Sequence, residues 1–261
     1  MSEEQTVKQT PAAPIAKSKK RRHHQRDPET GAKKRKRAAA FEEDEEYLDL
    51  ETGVNKKIGL IDNLLLADHL AKKVRRFGTG LTPVELSRLD ISPSYITDTT
   101  SFLKTRNLEN LPEFLEKFAD AKKLGEAPKT NGSPHTLIVT SAGLRAADIV
   151  RSVRKYQSKD SAVAKLFAKH IKVKESVEFL EKSRTGIAVG TPVRLYELVE
   201  NSALKLDNLE RLVIDASHID QKKRGVMDMK DTMLPLARWL ARPEFKERYI
   251  DAEKPLQLLF F

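Results

Sequence analysis

Thr136–Arg145, Thr-Leu-Ile-Val-Thr-Ser-Ala-Gly-Leu-Arg, decides the fold class. Its first half is a short β-branched run without a polar break, the pattern of a strand buried on both faces. A helical stretch, Gly143–Tyr156, follows at once. Further along, Gly186–Val189 (GIAV) runs into Gly190-Thr191-Pro192-Val193-Arg194-Leu195, where Pro192 opens a helix reaching Asn201. Leu212–Ile214 (LVI) runs into Asp215-Ala216-Ser217-His218, with a long helical stretch around Met233–Leu240 beyond it. Ile171–Val173 is a weaker strand candidate, and Leu256–Phe261 (LQLLFF) is the last. Apolar strands alternating with helices predict an α/β domain over 131–261, a doubly wound parallel sheet. No internal repeat is visible.

Residues 46–130 read as a helical segment followed by a loop. Ile58, Ile61, Leu65, Leu70, Val74 and Phe77 approximate one helical face, and Gly78 and Gly80 stop it. Thr82-Pro83-Val84-Glu85 is a capping box with proline at the first helical position. Ser92-Pro93 predicts a third helix start, and Asn110–Lys117 a further short amphipathic piece. Lys122–Pro134, rich in Gly, Pro, Lys and Asn, reads as a loop.

The first 45 residues are polar and cannot bury enough apolar surface to offset ordering entropy, so a disordered tail is expected. Two basic clusters lie in it: Lys17, Lys19, Lys20, Arg21 and Arg22, then Lys33, Lys34, Arg35, Lys36 and Arg37. Their spacing suits a bipartite nuclear import signal or a nucleic-acid arm; a solubilising tail is the alternative. An acidic block, Glu42–Glu46, follows. The net charge of +10 over 261 residues favours polyanionic partners. No run is long enough to span a membrane, so no membrane partner is expected. With no cysteine, thiol catalysis, disulfides and thiolate zinc sites are excluded.

The three strand-end loops lie where open α/β sheets bind ligands. Ser141 and Leu144 in the first, Gly-Thr-Pro-Val-Arg-Leu in the second, and Val213-Ile214-Asp215 entering the third resemble the first RecA-like domain of DEAD-box RNA helicases. In that family the first two loops grip the RNA backbone. The resemblance therefore implies RNA contact by Ser141, Gly143 and Arg145, and by Gly190, Thr191 and Arg194. An ordinary helix cap with a solvated arginine is the alternative for the second loop. Lys72, Lys73, Arg75 and Arg76 form a candidate phosphate patch, or else the wet face of their helix. Lys222-Lys223-Arg224 is a comparable candidate.

The departures from the helicase pattern bear on catalysis. The sequence contains no G-x-x-x-x-G-K-[ST] loop. Its nearest string, Gly125–Thr130, carries Pro128, which lacks the N–H that a phosphate accepts from. Ala216 stands where the box glutamate would orient water, and no glutamine lies between Gly78 and Thr130 to read adenine. Asp215 alone is a poor Mg²⁺ site and reads as a remnant bonding the loop after it. His218 has no second metal ligand at helical spacing, and Trp239 reads as core.

Together with Ala67-Asp68-His69-Leu70, Ser92-Pro93 and Thr97–Thr100, these loops resemble the Cms family, degenerate DEAD-box-like factors of early small-subunit pre-ribosomal particles. The resemblance implies a degenerate RecA-like first helicase domain that is not an enzyme, with no metal or other cofactor. It implies a nuclear, nucleolar location and a part in small-subunit assembly. The expected partners are pre-ribosomal RNA or snoRNA and small-subunit assembly proteins. Two rivals remain at this point: a protein–protein adaptor without RNA contact, and a cryptic ATPase or nucleotide switch.

Overall fold

A computed structural model describes residues 45–168 and 171–261. The basic clusters at Lys17–Arg22 and Lys33–Arg37 lie outside these residues, as does most of the acidic block.

Strands β3 (Thr136–Val139), β4 (Ala162–Leu166), β5 (Thr185–Gly190), β6 (Arg211–Ile214) and β7 (Gln257–Phe260) form one five-stranded sheet in the order β4-β5-β3-β6-β7. Every neighbouring pair is parallel. Side chains alternate between the faces, as the pleat requires. Leu137, Val139, Leu212, Ile214, Leu258 and Phe260 enter one core, whereas Ile138, Val213, Leu259 and Phe261 enter the other. Both faces are therefore covered by helices, as the apolar runs predict.

The first face is covered by α2 (Asn63–Phe77), α7 (Val173–Lys182), α8 (Pro192–Glu200), α9 (Lys230–Leu240) and α10 (Pro243–Tyr249), through Leu70, Leu180, Leu195, Trp239 and Phe245 among others. Trp239 is fully buried and meets Phe245 edge-on, with ring centroids 5.2 Å apart, in agreement with a core role. The second face is covered by α4 (Leu111–Lys117), α5 (Ala121–Leu124) and α6 (Gly143–Ser152), through Phe114, Leu124 and Ile149.

Two shorter helices precede these, α1 (Lys57–Leu60) and α3 (Pro83–Arg88). The single helix expected from Ile58 to Phe77 is broken by Asp62, whose carboxylate caps α2 by accepting from Leu65 N at 2.8 Å. The capping box at Thr82 forms as expected, with Thr82 N donating to Glu85 Oε2 at 2.7 Å. Ser92-Pro93 opens only a 3₁₀ turn, Pro93–Tyr95. Upstream, β1 (Leu48–Asp49) and β2 (Val54–Asn55) form a hairpin whose Gly53, at φ +65°, takes the left-handed conformation.

The loop expected at Lys122–Pro134 is corrected at its start, since Lys122–Leu124 lie in α5. The strand readings are corrected as well. The weak strand at Ile171–Val173 does not form, because Val173 begins α7. The strand in that part of the chain is β4, which the sequence pattern did not reveal.

Among the described residues no strand precedes β3 in the parallel sheet. The outer edge of β7 is instead met by irregular chain: Ile96 bridges Leu258, Thr97 N donates to Leu258 O at 2.9 Å, and Thr99 Oγ1 donates to Phe260 O. Buried carbonyls of the edge strand thus find donors. The string Gly125–Thr130 lies by the amino end of β5, where Arg184 donates to Ala127 O and Pro128 O. That is the end of the sheet opposite the three loops.

Candidate nucleic-acid interface at the carboxyl edge

The parallel register brings the three loops side by side. Val139 pairs with Gly190 on one flank and with Ile214 on the other, so the residues leaving β3, β5 and β6 are neighbours. Thr140 N donates to Gly190 O at 3.0 Å, and Asp215 N to Val139 O at 2.9 Å.

Asp215 does not bond the loop after it through its carboxylate, as expected from sequence. Its side chain is turned to the neighbouring loop. Arg145 Nε donates to Oδ2 at 2.9 Å and Arg145 Nη2 to Oδ1 at 2.8 Å, while Thr140 Oγ1 donates to Oδ2 at 2.7 Å. The carboxylate is only 2 % exposed. Fork-to-fork geometry makes this a strong, charge-assisted pair. A cation seeking Asp215 would have to displace a guanidinium. Arg145 is thereby taken out of the set of free phosphate donors. His218 is also held below its ordinary pKa, chiefly by burial, with Asp215 pulling the other way.

Arg194 is corrected in the same sense. It is 5 % exposed, and both terminal nitrogens donate to Ile171 O at 3.0 Å; Nη1 also reaches Ser176 Oγ and Nε reaches Glu197. It braces α8 against the start of α7 and faces no solvent. Gly190 is buried, and a Cβ there would come within 2.5 Å of Leu166 O and 2.6 Å of Leu195, so packing explains it without a ligand.

What stays accessible is narrower. Ser141 and Gly143 are half-buried at the start of α6, and Thr191 is half-buried at the start of α8. Thr191 holds the N-cap position, but its side chain makes no capping bond, and neither does Ala142 before α6. Both helices therefore point side-chain-uncapped N-termini at the same edge, each with partial positive charge.

The basic run on α2 divides. Lys73 is paired with Asp228 and largely enclosed; Lys72 pairs with Asp68 at 2.5 Å but keeps 70 % of its side chain exposed. Arg75 and Arg76 are exposed, Arg76 lying over the Phe77 ring. In the Lys222–Arg224 loop, Arg224 pairs with Asp220 and Lys223 with Glu45.

Sequence reasoning missed Arg106. It is 3 % exposed and donates to Phe260 O, Thr99 O and Thr99 Oγ1 beyond the carboxyl end of β7. No motif or period marks it in the sequence.

These features define an α/β protein with a five-stranded parallel sheet whose ligand edge is partly filled by its own ion pair. Comparison with known proteins gives the family. The model of a family described as CMS1, U3-containing 90S pre-ribosomal complex subunit, matches residues 4–261, and the chain belongs to that family. Protein CMS1 of Chaetomium thermophilum is 63 % identical over 84 % of this chain and 87 % of its own length. Protein cms1 of Schizosaccharomyces pombe is 30 % identical over 75 % of this chain and 69 % of its own. Human Protein CMSS1 is 37 % identical over 57 % of this chain and 51 % of its own.

Proposed function

We propose that this protein is a non-catalytic ribosome-biogenesis factor of the small-subunit precursor, built on a degenerate RecA-like domain. It binds pre-ribosomal RNA, or the associated snoRNA, through the carboxyl edge of its sheet. The observation that carries the non-catalytic part is the Arg145–Asp215 pair. The carboxylate a helicase would offer to a metal is bound on both oxygens by a guanidinium and a hydroxyl. The family's description as a pre-ribosomal complex subunit supports the setting, which is nuclear and nucleolar.

RNA contact rests on the paired N-termini of α6 and α8, with Ser141, Gly143 and Thr191 at their openings and Lys72, Arg75 and Arg76 as flanking charge. Helix N-termini suit phosphates. Such contacts fix position and carry little sequence information, which fits a scaffold. The test is cross-linking of the full chain to RNA in cells, wild type against Ser141→Glu/Thr191→Glu. Discrete sites on precursor ribosomal RNA or snoRNA, weakened by the variant, are the expected result.

A second reading is an adaptor that touches only protein. Leu144 and Val193, 66 % and 53 % exposed, stand in the first turns of the same two helices and favour it. Particle association without RNA above background would establish that reading over the first.

A further inference from the structure

At the far end of the same edge, beyond β7, lies a cleft of about 260 Å³. Among the described residues its lining holds three cations, Lys56, Lys104 and Arg106, and no carboxylate. Asn55, Thr100, Thr105 and Ser217 add neutral polar groups.

Two atoms in this lining lack partners among the described residues. Arg106 Nε and Ser217 Oγ are both enclosed and make no hydrogen bond, in side chains that are 3 % and 0 % exposed. A buried donor left without a partner carries its full desolvation penalty. The other nitrogens of Arg106 reach only neutral oxygens of Phe260 and Thr99. Burial pushes its pKa down to about 10, with the charge of Asp98 opposing, so it stays charged at neutral pH. A buried cation with no ion-pair partner among the described residues, lining the same cleft as an unpartnered hydroxyl, is organised for an anion that completes both. Gly59 packs closely on the guanidinium: a Cβ at that position would sit 3.2 Å from Arg106 Nε.

The size of the cleft narrows the class of anion. It falls below the range of roughly 300–1,000 Å³ typical of small-molecule pockets, which suits a phosphate group better than a whole nucleotide. Its rim carries two outward apolar side chains, Leu60 at 68 % exposure and Leu103 at 92 %. They offer shoulders for a sugar or a base.

We propose that this cleft holds one backbone phosphate of an RNA strand, with Arg106, Ser217, Lys56 and Lys104 as its donors. The proposal rests on the RNA reading above. A polyanion is favoured over a single phosphorylated side chain because the N-termini of α6 and α8 open on the same edge. Only a strand brings a succession of phosphates to all three. Lys56 and Lys104 now pair with Asp49 and Glu113 in half-exposed contacts, which are weak and exchange readily.

The test uses the full chain, with Ser217→Ala and Gly59→Ala as variants. The first removes only an unpartnered hydroxyl; the second places a methyl against Arg106 Nε. Thermal unfolding is compared in sodium phosphate and in sodium chloride of equal ionic strength, and binding of a short single-stranded oligoribonucleotide is followed against salt. General salting by phosphate acts on all three proteins alike, whereas site binding raises Tm by mass action in the wild type alone. The expected result is a phosphate-dependent rise lost in both variants, with a log–log salt slope for RNA shallower by about 0.7. An equal rise in all three proteins, with an unchanged slope, overturns the cleft and leaves RNA binding elsewhere on the edge intact. A rise lost in the variants while RNA binding stays unchanged overturns RNA as the source. No RNA binding by the wild type overturns that source together with the functional reading.

Discussion

Arg145 and Asp215, 70 positions apart, form a two-pronged ion pair at the carboxyl edge of the sheet, each nitrogen–oxygen contact under 3 Å. The pair occupies the crevice in which α/β proteins of this architecture place ligands. It turns a potential metal ligand into a structural strut between α6 and the end of β6.

Removing one partner leaves the other charge buried, at a cost of about 3–5 kcal/mol. Asp215→Ala is therefore expected to be strongly destabilising in urea denaturation. Arg145→Met/Asp215→Leu, which removes both charges and keeps the volume, is expected to recover most of the loss. Equal destabilisation by the single and double variants would show that the strut contributes only packing.

Arg194 presents the opposite case to its sequence reading. It lies in a loop that resembles an RNA-gripping motif, yet its guanidinium ties α8 to Ile171 O. Hydrogen bonds from a charged donor contribute about 1.5–3 kcal/mol each. Arg194→Met should lower unfolding free energy by about 2–3 kcal/mol while leaving the salt slope of RNA binding unchanged. A shallower slope with unaltered stability would return Arg194 to the phosphate contacts.

The strands β3, β5 and β6 were legible because each is a short apolar run ended by a polar loop, and β7 because Leu256–Phe261 is itself such a run, a pattern set by burial on both faces. β4 was not. Its Ala-Val-Ala-Lys-Leu is small and carries exposed Lys165, and its strand character comes from pairing with β5 at the sheet's edge. Ile171–Val173 misled in the other direction. Lys172 is extended, but Val173, Val177 and Leu180 recur at helical spacing and pack on the core. The loops at the carboxyl edge could be placed from sequence; their inward contacts could not. Arg145 meets Asp215 only because β3 and β6 are adjacent, and that pairing is non-local. Had Val139 and Ile214 been paired in advance, Thr140 and Asp215 would have followed as neighbours.

Gly190 carries a simple steric prediction. The carbonyl of Leu166 and the side chain of Leu195 leave no room for a Cβ. The carbonyl is backbone and cannot swing aside, so Gly190→Ala should cost about 1–3 kcal/mol, the usual range for overpacking. Thermal unfolding checks this. Unchanged stability together with weakened RNA binding would instead assign the glycine to close approach by a ligand.

His135, at the amino end of β3, sets an acid limit on stability. It is 5 % exposed, and burial, reinforced by the charge of Arg211, lowers its pKa to about 4. In the unfolded chain it titrates near its ordinary 6.5. Between those values the unfolded chain takes up a proton that the folded protein refuses. Stability therefore falls as pH drops through that window, and the loss levels off below about 4, where both forms are protonated. A separation of this size corresponds to about 3 kcal/mol. His218, lowered in the same direction, adds to the trend. Urea denaturation at pH values from 7.5 to 4 should show the decline, and His135→Gln, which cannot charge, should flatten much of it. A decline of the same steepness in the variant would assign the acid sensitivity to other groups and leave His135 titrating normally.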